Sequence, residues 1–114
     1  MVINIIMTRD EIKNFAKENK VKLSVTWWDD DGEIWLNKLI IPAKKRGEGL
    51  GTHIIDMLKQ YCDERHLVMK LLADSCYGTE IHKLVNYYRK NGFRPYREPD
   101  NKTNPYYMKY KPKK

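Results

Sequence analysis

Hydrophobic and polar positions along the chain follow two periods, and the switches between them outline its elements. Residues 2–6 are a short apolar run that reads as a first strand. At Met7-Thr8-Arg9-Asp10-Glu11 the pattern changes. Thr8 is a helix-capping residue, Glu11 completes a capping box, and Met7 and Ile12 occupy the positions of a hydrophobic staple. Ile12, Phe15 and Ala16 form a narrow apolar stripe, which predicts a helix over 8–20 that covers a core on one side. Val21, Leu23, Val25 and Trp27 then alternate with Lys22, Ser24, Thr26 and Trp28, the period of a half-buried strand. Asp29-Asp30-Asp31-Gly32 reads as a turn, and residues 33–41 as the returning strand of a hairpin. In that strand Ile34 and Leu36 share one face, whereas Leu39 and Ile41 fall on the other. A change of face within one strand predicts a β-bulge near residues 37–39. Pro42 ends the strand.

A glycine-rich stretch, Arg46-Gly47-Glu48-Gly49-Leu50-Gly51-Thr52, leads into a second helix whose apolar face is Leu50, Ile54, Leu58, Tyr61 and Cys62, closed by His66. Residues 67–73 are nearly all apolar and read as a buried, parallel strand. Ile81, Leu84, Val85 and Tyr88 repeat at helical spacing up to Asn91-Gly92, a helix stop. Residues 93–96 and 105–110 are candidate strands joined by the polar stretch 97–104. The strand–helix–strand unit over 33–73 requires a right-handed crossover. The expected fold is α/β with a mixed sheet and flanking helices, in the order β-α-β-β-α-β-α-β-β.

Composition narrows the picture. A chain of 114 residues builds one domain over 1–114, with a basic tail at 111–114 expected to fray. At 41% hydrophobic it is too apolar to be disordered, and no apolar run is long enough for a membrane span. The start, 1–7, is too short and lacks the basic beginning of a secretory signal. Two cysteines, Cys62 and Cys76, make neither a disulfide framework nor a zinc pattern, so a reduced, cytoplasmic compartment is expected and no metal site. Twenty-two Lys and Arg against 15 Asp and Glu leave a formal charge of +7, which favours an anionic partner: nucleic acid, an acidic protein or a phosphorylated cofactor.

The glycine stretch lies where such a cofactor would bind. Glycines at alternate positions let a ligand approach the backbone, and the unpaired N–H groups of the following helical turn make a natural pyrophosphate site. The spacing excludes other phosphate loops. No Lys follows Gly51, as a Walker loop needs, and Thr52 stands where a dinucleotide fingerprint starting at Gly47 needs glycine. A tight strand–helix connection with no ligand is the plainer alternative.

Two segments carry a resemblance. Arg46-x-x-Gly49-x-Gly51, after a strand ending Ile41-Pro42, resembles the acetyl-CoA signature of the GCN5-related N-acetyltransferase (GNAT) superfamily. Tyr87-Tyr88-Arg89-Lys90-Asn91-Gly92-Phe93 resembles that family's second segment, at the end of its last helix. The likeness covers about residues 21–110 and is similar in scale to small phage-encoded members. It implies an acetyl-CoA-dependent N-acetyltransferase in which a primary amine attacks the thioester directly in a ternary complex. Leu39, Ile40 and Ile41 would pair with the pantetheine arm, and Arg46, Gly47, Glu48, Gly49, Leu50, Gly51 and Thr52 would hold the pyrophosphate. Tyr88 matches the family's proton donor to the departing thiolate, although it also lies on the apolar stripe of its helix. Larger members have two helices where this chain has one, so the acceptor side is expected to be open, or completed by a second subunit in a homodimer.

An attacking lysine amine, with a pKa of about 10.4, must lose a proton. Glu33 and Asp74 are the candidate bases, with Asn37 able to orient a water; each also reads as an ordinary surface residue. An N–H near residues 39–41 would stabilise the oxyanion. His53 and His82 read as solvated helix residues and Cys76 as a loop thiol, although an acyl-cysteine is conceivable. Trp27, Trp28 and Trp35 on one hairpin leave an exposed aromatic face, an acceptor groove or a dimer contact. The open shape favours a protein or peptide amine over a small molecule. The competing reading is an inactive module on the same fold that binds nucleic acid or a partner protein.

Overall fold

The computed structural model describes residues 6–74, 80–99 and 104–113. Helix α1 (Arg9–Glu18) starts as the sequence predicts: Thr8 Oγ1 accepts from the Glu11 N–H at 3.1 Å and its hydroxyl donates to the Glu11 carboxylate. Ile12 and Ala16 are buried beneath it. Strands β1 (Lys22–Trp28) and β2 (Glu33–Ile40) form the antiparallel hairpin around a 3-10 turn, Asp29–Asp31, closed by Gly32 in the left-handed region. Helix α2 (Leu50–Arg65) ends on His66, also left-handed, and leads to β3 (Val68–Leu72). Helix α3 (Ile81–Lys90) stops at Asn91 and Gly92. Strands β4 (Arg94–Pro95) and β5 (Tyr107–Tyr110) complete a five-stranded sheet in the order β1-β2-β3-β5-β4. β3 runs parallel to β2 and every other pairing is antiparallel, the mixed sheet expected from the sequence. The first strand expected over 2–6 lies, but for Ile6, outside the described residues, as does Cys76.

Cross-strand partners share a face, so the register sorts the side chains. Val25, Trp27, Ile34, Leu36, Met69, Leu71, Met108 and Tyr110 share one face. Ile54, Ile55, Leu58 and Cys62 of α2 and Ile12 of α1 join them in a single core. Helix α3 packs on the same side. Tyr88 meets Phe93, Phe93 meets Tyr110, and Tyr87 reaches α2. The remaining face carries Thr26, Trp28, Glu33, Trp35, Lys70, Leu72, Tyr107 and Lys109. Among the described residues, none of the three helices covers it.

Two expectations change. β3 is not buried on both faces: Met69 and Leu71 are in the core, but Leu72 is 39% exposed because the helices all lie on the other side. The tail is tied down as far as Lys113, whose N–H donates to Asp63 Oδ1 at 2.8 Å, beside the Tyr110 hydroxyl on the same carboxylate.

Candidate active site

The bulge expected near residues 37–39 is present. Ser24 pairs with Lys38 and Val25 with Leu36, so Asn37 is the extra residue in β2. The insertion re-phases the strand. Leu39 pairs with Leu23 and so returns to the core face that Leu36 occupies. That resolves the change of face in the sequence. Asn37 itself turns to the other face, where its Nδ2 donates to Thr26 Oγ1 at 2.7 Å.

The bulge also opens the sheet. β2 pairs with β3 from Glu33–Val68 to Leu36–Leu71 and no further. Beyond that point β2 stays with β1 as far as Ile40, and β3 stays with β5 as far as Leu72–Tyr107. The two parallel strands therefore part like a V. A cavity of ≈ 130 Å³ occupies the fork, lined by Leu36, Asn37, Leu39, Leu71, Asp74, Leu84 and Tyr88 among others. A second, of ≈ 310 Å³, continues along Leu39, Ile40 and Ile41, and a third, of ≈ 340 Å³, ends at the glycine loop. Leu39, Leu84 and Tyr88 line both the first and second, and Ile41, Arg46, Gly51 and Tyr87 both the second and third, so the three adjoin in a channel-like run from the fork to the loop.

The glycine-loop end has a distinctive backbone. Gly47 (φ 89°) and Gly49 (φ 78°) take left-handed conformations that side chains resist, and Gly49 caps α2. The first backbone hydrogen bond there runs from His53 N–H to the Gly49 carbonyl, which leaves the N–H groups of Leu50, Gly51 and Thr52 outside the helical ladder. No side chain caps them and no acidic residue sits in the first turn. The positive end of the helix dipole is thus uncompensated. Gly51 lies close against α3 and β2: a Cβ there would stand 3.3 Å from the Tyr87 hydroxyl and 3.7 Å from Ile41. Thr52 Oγ1 and Tyr87 Oη are 2.8 Å apart and join the two helices over the channel. Arg46 turns back, its Nε donating to the Ile41 carbonyl at 3.3 Å. Glu48 is exposed on the loop and lines none of these cavities.

At the fork, Tyr88 is 8% exposed and lines both cavities that meet there. Burial pushes its pKa up to about 12, with a smaller contribution from Tyr87, so the phenol holds its proton at neutral pH. Asp74 follows the end of β3 and lines the fork. Glu33 stands at the other end of β2, where the parallel pairing is intact, and its carboxylate is 2.8 Å from Lys70 Nζ. The structure thus gathers Tyr88, Asp74 and Leu39 at the fork, sets Ile40 and Ile41 along the adjoining cavity, and leaves Glu33 outside both. Tyr87, Leu84 and Lys83 had no assigned role in the sequence; the consecutive tyrosines were the visible signal, since neighbours in a helix face different ways. His53 stacks on Phe15 (ring centroids 4.4 Å apart), and Cys62 is a core thiol pushed up to about 12 by burial. No cluster of metal-ligating side chains occurs among the described residues.

Comparison with known proteins places this architecture. No protein-family model matches the chain, and no curated protein matches it. Solved structures do. Gcn5 from Tetrahymena matches with a TM-score of 0.62 at 15% identity, over 80% of this chain and 59% of that one. Naa20 from Chaetomium thermophilum, in complex with a bisubstrate analogue, matches with 0.53 at 17%, over 81% and 57%. Ard1 from Thermoplasma volcanium matches with 0.55 at 16%, over 98% and 84%. The chain has the GNAT fold. It spans little more than half the length of the first two.

Proposed function

We propose that the protein is an acetyl-CoA-dependent N-acetyltransferase acting on a primary amine, a single catalytic domain over 1–114. The observation that carries this reading is the run of adjoining cavities from the uncapped glycine-loop end of α2 to the fork at Tyr88. Its two ends suit the two ends of the cofactor. The outward N–H groups of Leu50, Gly51 and Thr52, with Lys45 and Arg46 beside them, would hold the pyrophosphate. The main chain of Leu39, Ile40 and Ile41, which β3 no longer pairs, would bind the pantetheine arm. Acetyl-CoA supplies an activated thioester carbonyl at the fork.

The residues around that point have separable tasks. An unpaired N–H on the bulged strand stabilises the negative charge that develops on the carbonyl oxygen. Asp74, directly or through a water held by Asn37, takes the proton that the amine loses as its nitrogen bonds to the acetyl carbon. Glu33, held by Lys70 at the far end of β2, could serve only through a longer water chain. The Tyr88 hydroxyl gives its proton to sulfur as the carbon–sulfur bond breaks, and recovers one from solvent. Without a partner hydrogen bond among the described residues, that hydroxyl is available to the sulfur.

The test is acetyl-CoA-dependent release of free thiol in the presence of amines: a lysine-containing peptide, a peptide with only its α-amine, and a polyamine. The expected result is thiol release with one acetyl group added to the acceptor by mass. Salt-sensitive nucleic-acid binding with no thiol release from any amine would favour the inactive binding module instead.

A further inference from the structure

A cavity of ≈ 490 Å³ lies away from the glycine loop, where the end of α1 meets the start of β1. Lys13 and Lys17 enter it from α1, Lys22 from β1 and Lys38 from β2, and all four are exposed. Lys13 and Lys17 stand one helical turn apart and so share a face of α1. Between the lysines the wall is small or aliphatic, made by Ala16, Val21 and Leu23, with Ser24 as its one neutral polar side chain.

No acidic side chain lines this cavity. The acids of α1 are Asp10, Glu11 and Glu18, and none of them forms an ion pair with these lysines. The ion pairs among the described residues use Arg9, Lys59, Arg65 and Lys70 instead. Lys13 Nζ lies 6.0 Å from the centre of the Trp27 ring, a contact that leaves its charge in place. Lys38 also lines the fork, in company with Asp74, so only Lys13, Lys17 and Lys22 count as wholly uncompensated. Like charges gathered around one concave surface raise its potential and draw an anion to it.

We infer that this cavity seats phosphates of a double-stranded nucleic-acid backbone, held by charge without reading the bases. The chemistry of the lining selects among anions. Its cations are all lysines, which hold phosphate as point charges, and it has no planar arginine fork to grip a carboxylate. An acidic peptide also needs aromatic or arginine anchors, and none lines the cavity. Single strands need rings on which bases stack, and these too are lacking there. A duplex backbone needs neither, because cations that displace its counter-ions supply the affinity. A second copy of this chain, with the same +7 charge, is repelled. The cavity lies apart from the glycine loop, and the inference does not depend on the acetyltransferase reading.

Fluorescence anisotropy of a short labelled DNA duplex, titrated with the whole chain over a range of salt, tests this. Each lysine that meets a phosphate adds about −0.9 to the slope of log affinity against log salt. Lys13→Gln, Lys17→Gln and Lys22→Gln together should therefore flatten the slope by about 2.7 and weaken binding at least tenfold at about 50 mM salt. Arg89→Gln, Lys90→Gln and Lys111→Gln remove the same charge from exposed positions elsewhere and should leave both quantities nearly unchanged. Glutamine keeps the helix propensity of lysine, so both variants should unfold at the midpoint of the unchanged chain. Equal losses in the two variants would overturn the inference, since the duplex would then feel only the overall charge. Tighter binding of polyglutamate, of oligo(dT), or of tripolyphosphate at equal phosphate concentration would overturn it in favour of that anion. Displacement of the duplex by acetyl-CoA would overturn it by moving the phosphates to the glycine loop. Duplex binding through the three lysines without any uptake of acetyl-CoA would leave this inference standing and remove the acetyltransferase reading. Uptake of acetyl-CoA without duplex binding would do the reverse.

Discussion

Tyr88 is where packing and chemistry meet in one residue. Its ring belongs to the core, against Phe93 and Tyr87, while the residue also lines the fork. Removing only the oxygen separates the two roles. Tyr88→Phe should lower kcat by about a hundredfold, the usual worth of a positioned acid, with acetyl-CoA affinity and the unfolding midpoint nearly unchanged. An unaltered kcat would reduce Tyr88 to a packing residue. Burial has a second consequence at this scale. Tyr88 and Cys62 both titrate near 12, above their ordinary values of 10.0 and 9.0. Raised pKa values mean that the folded state keeps protons that the unfolded chain loses. Their contribution to stability is therefore complete below about pH 9 and is lost as pH rises towards 12. The urea midpoint should fall between pH 8.5 and 11; equal midpoints would contradict the burial of both groups.

At the scale of elements, the site depends on one inserted residue and one uncapped helix. Asn37 breaks the pairing of β2 with β3, and Gly49 starts α2 without a side-chain cap. Both were legible in the sequence, because a bulge leaves a shifted alternation and a helix entered through Gly-x-Gly has no capping side chain. The hairpin, the parallel strand and the three helices were legible for the same reason: their periods are long enough to read. The bare face was not. The run over 67–73 looks the same whether helices cover one face or both, and only the register shows that Leu72 and Trp28 look outward. Glu33 was a misleading candidate, since Ile34, Trp35 and Leu36 separate it from the bulge and the parallel pairing is intact beside it. The approach of α3 to α2 can be tested at Gly51. A methyl group there meets the Tyr87 hydroxyl at 3.3 Å and crowds the bond to Thr52. Gly51→Ala should weaken acetyl-CoA binding more than Tyr88→Phe does, with little net change in stability because alanine's helical advantage of about 1 kcal/mol offsets the crowding. Unchanged affinity would mean that the loop is a connection and no more.

For the molecule as a whole, the sheet divides labour between its faces. Helices, core and channel occupy one side, and an aromatic surface that carries Lys70 and Lys109 occupies the other. Part of the +7 charge lies at the glycine loop, which Lys45 and Arg46 border, and part on the other face, where Lys70 and Lys109 pair across β3 and β5. No helix among the described residues is long and apolar enough to cross a membrane. The central claim is that the channel holds acetyl-CoA, and isothermal titration calorimetry of the whole chain with acetyl-CoA, CoA and ATP addresses it directly. The account predicts saturable one-to-one binding of acetyl-CoA and CoA at micromolar concentrations, with ATP much weaker because it cannot fill the fork. Well-folded protein that takes up neither acetyl-CoA nor CoA would contradict it.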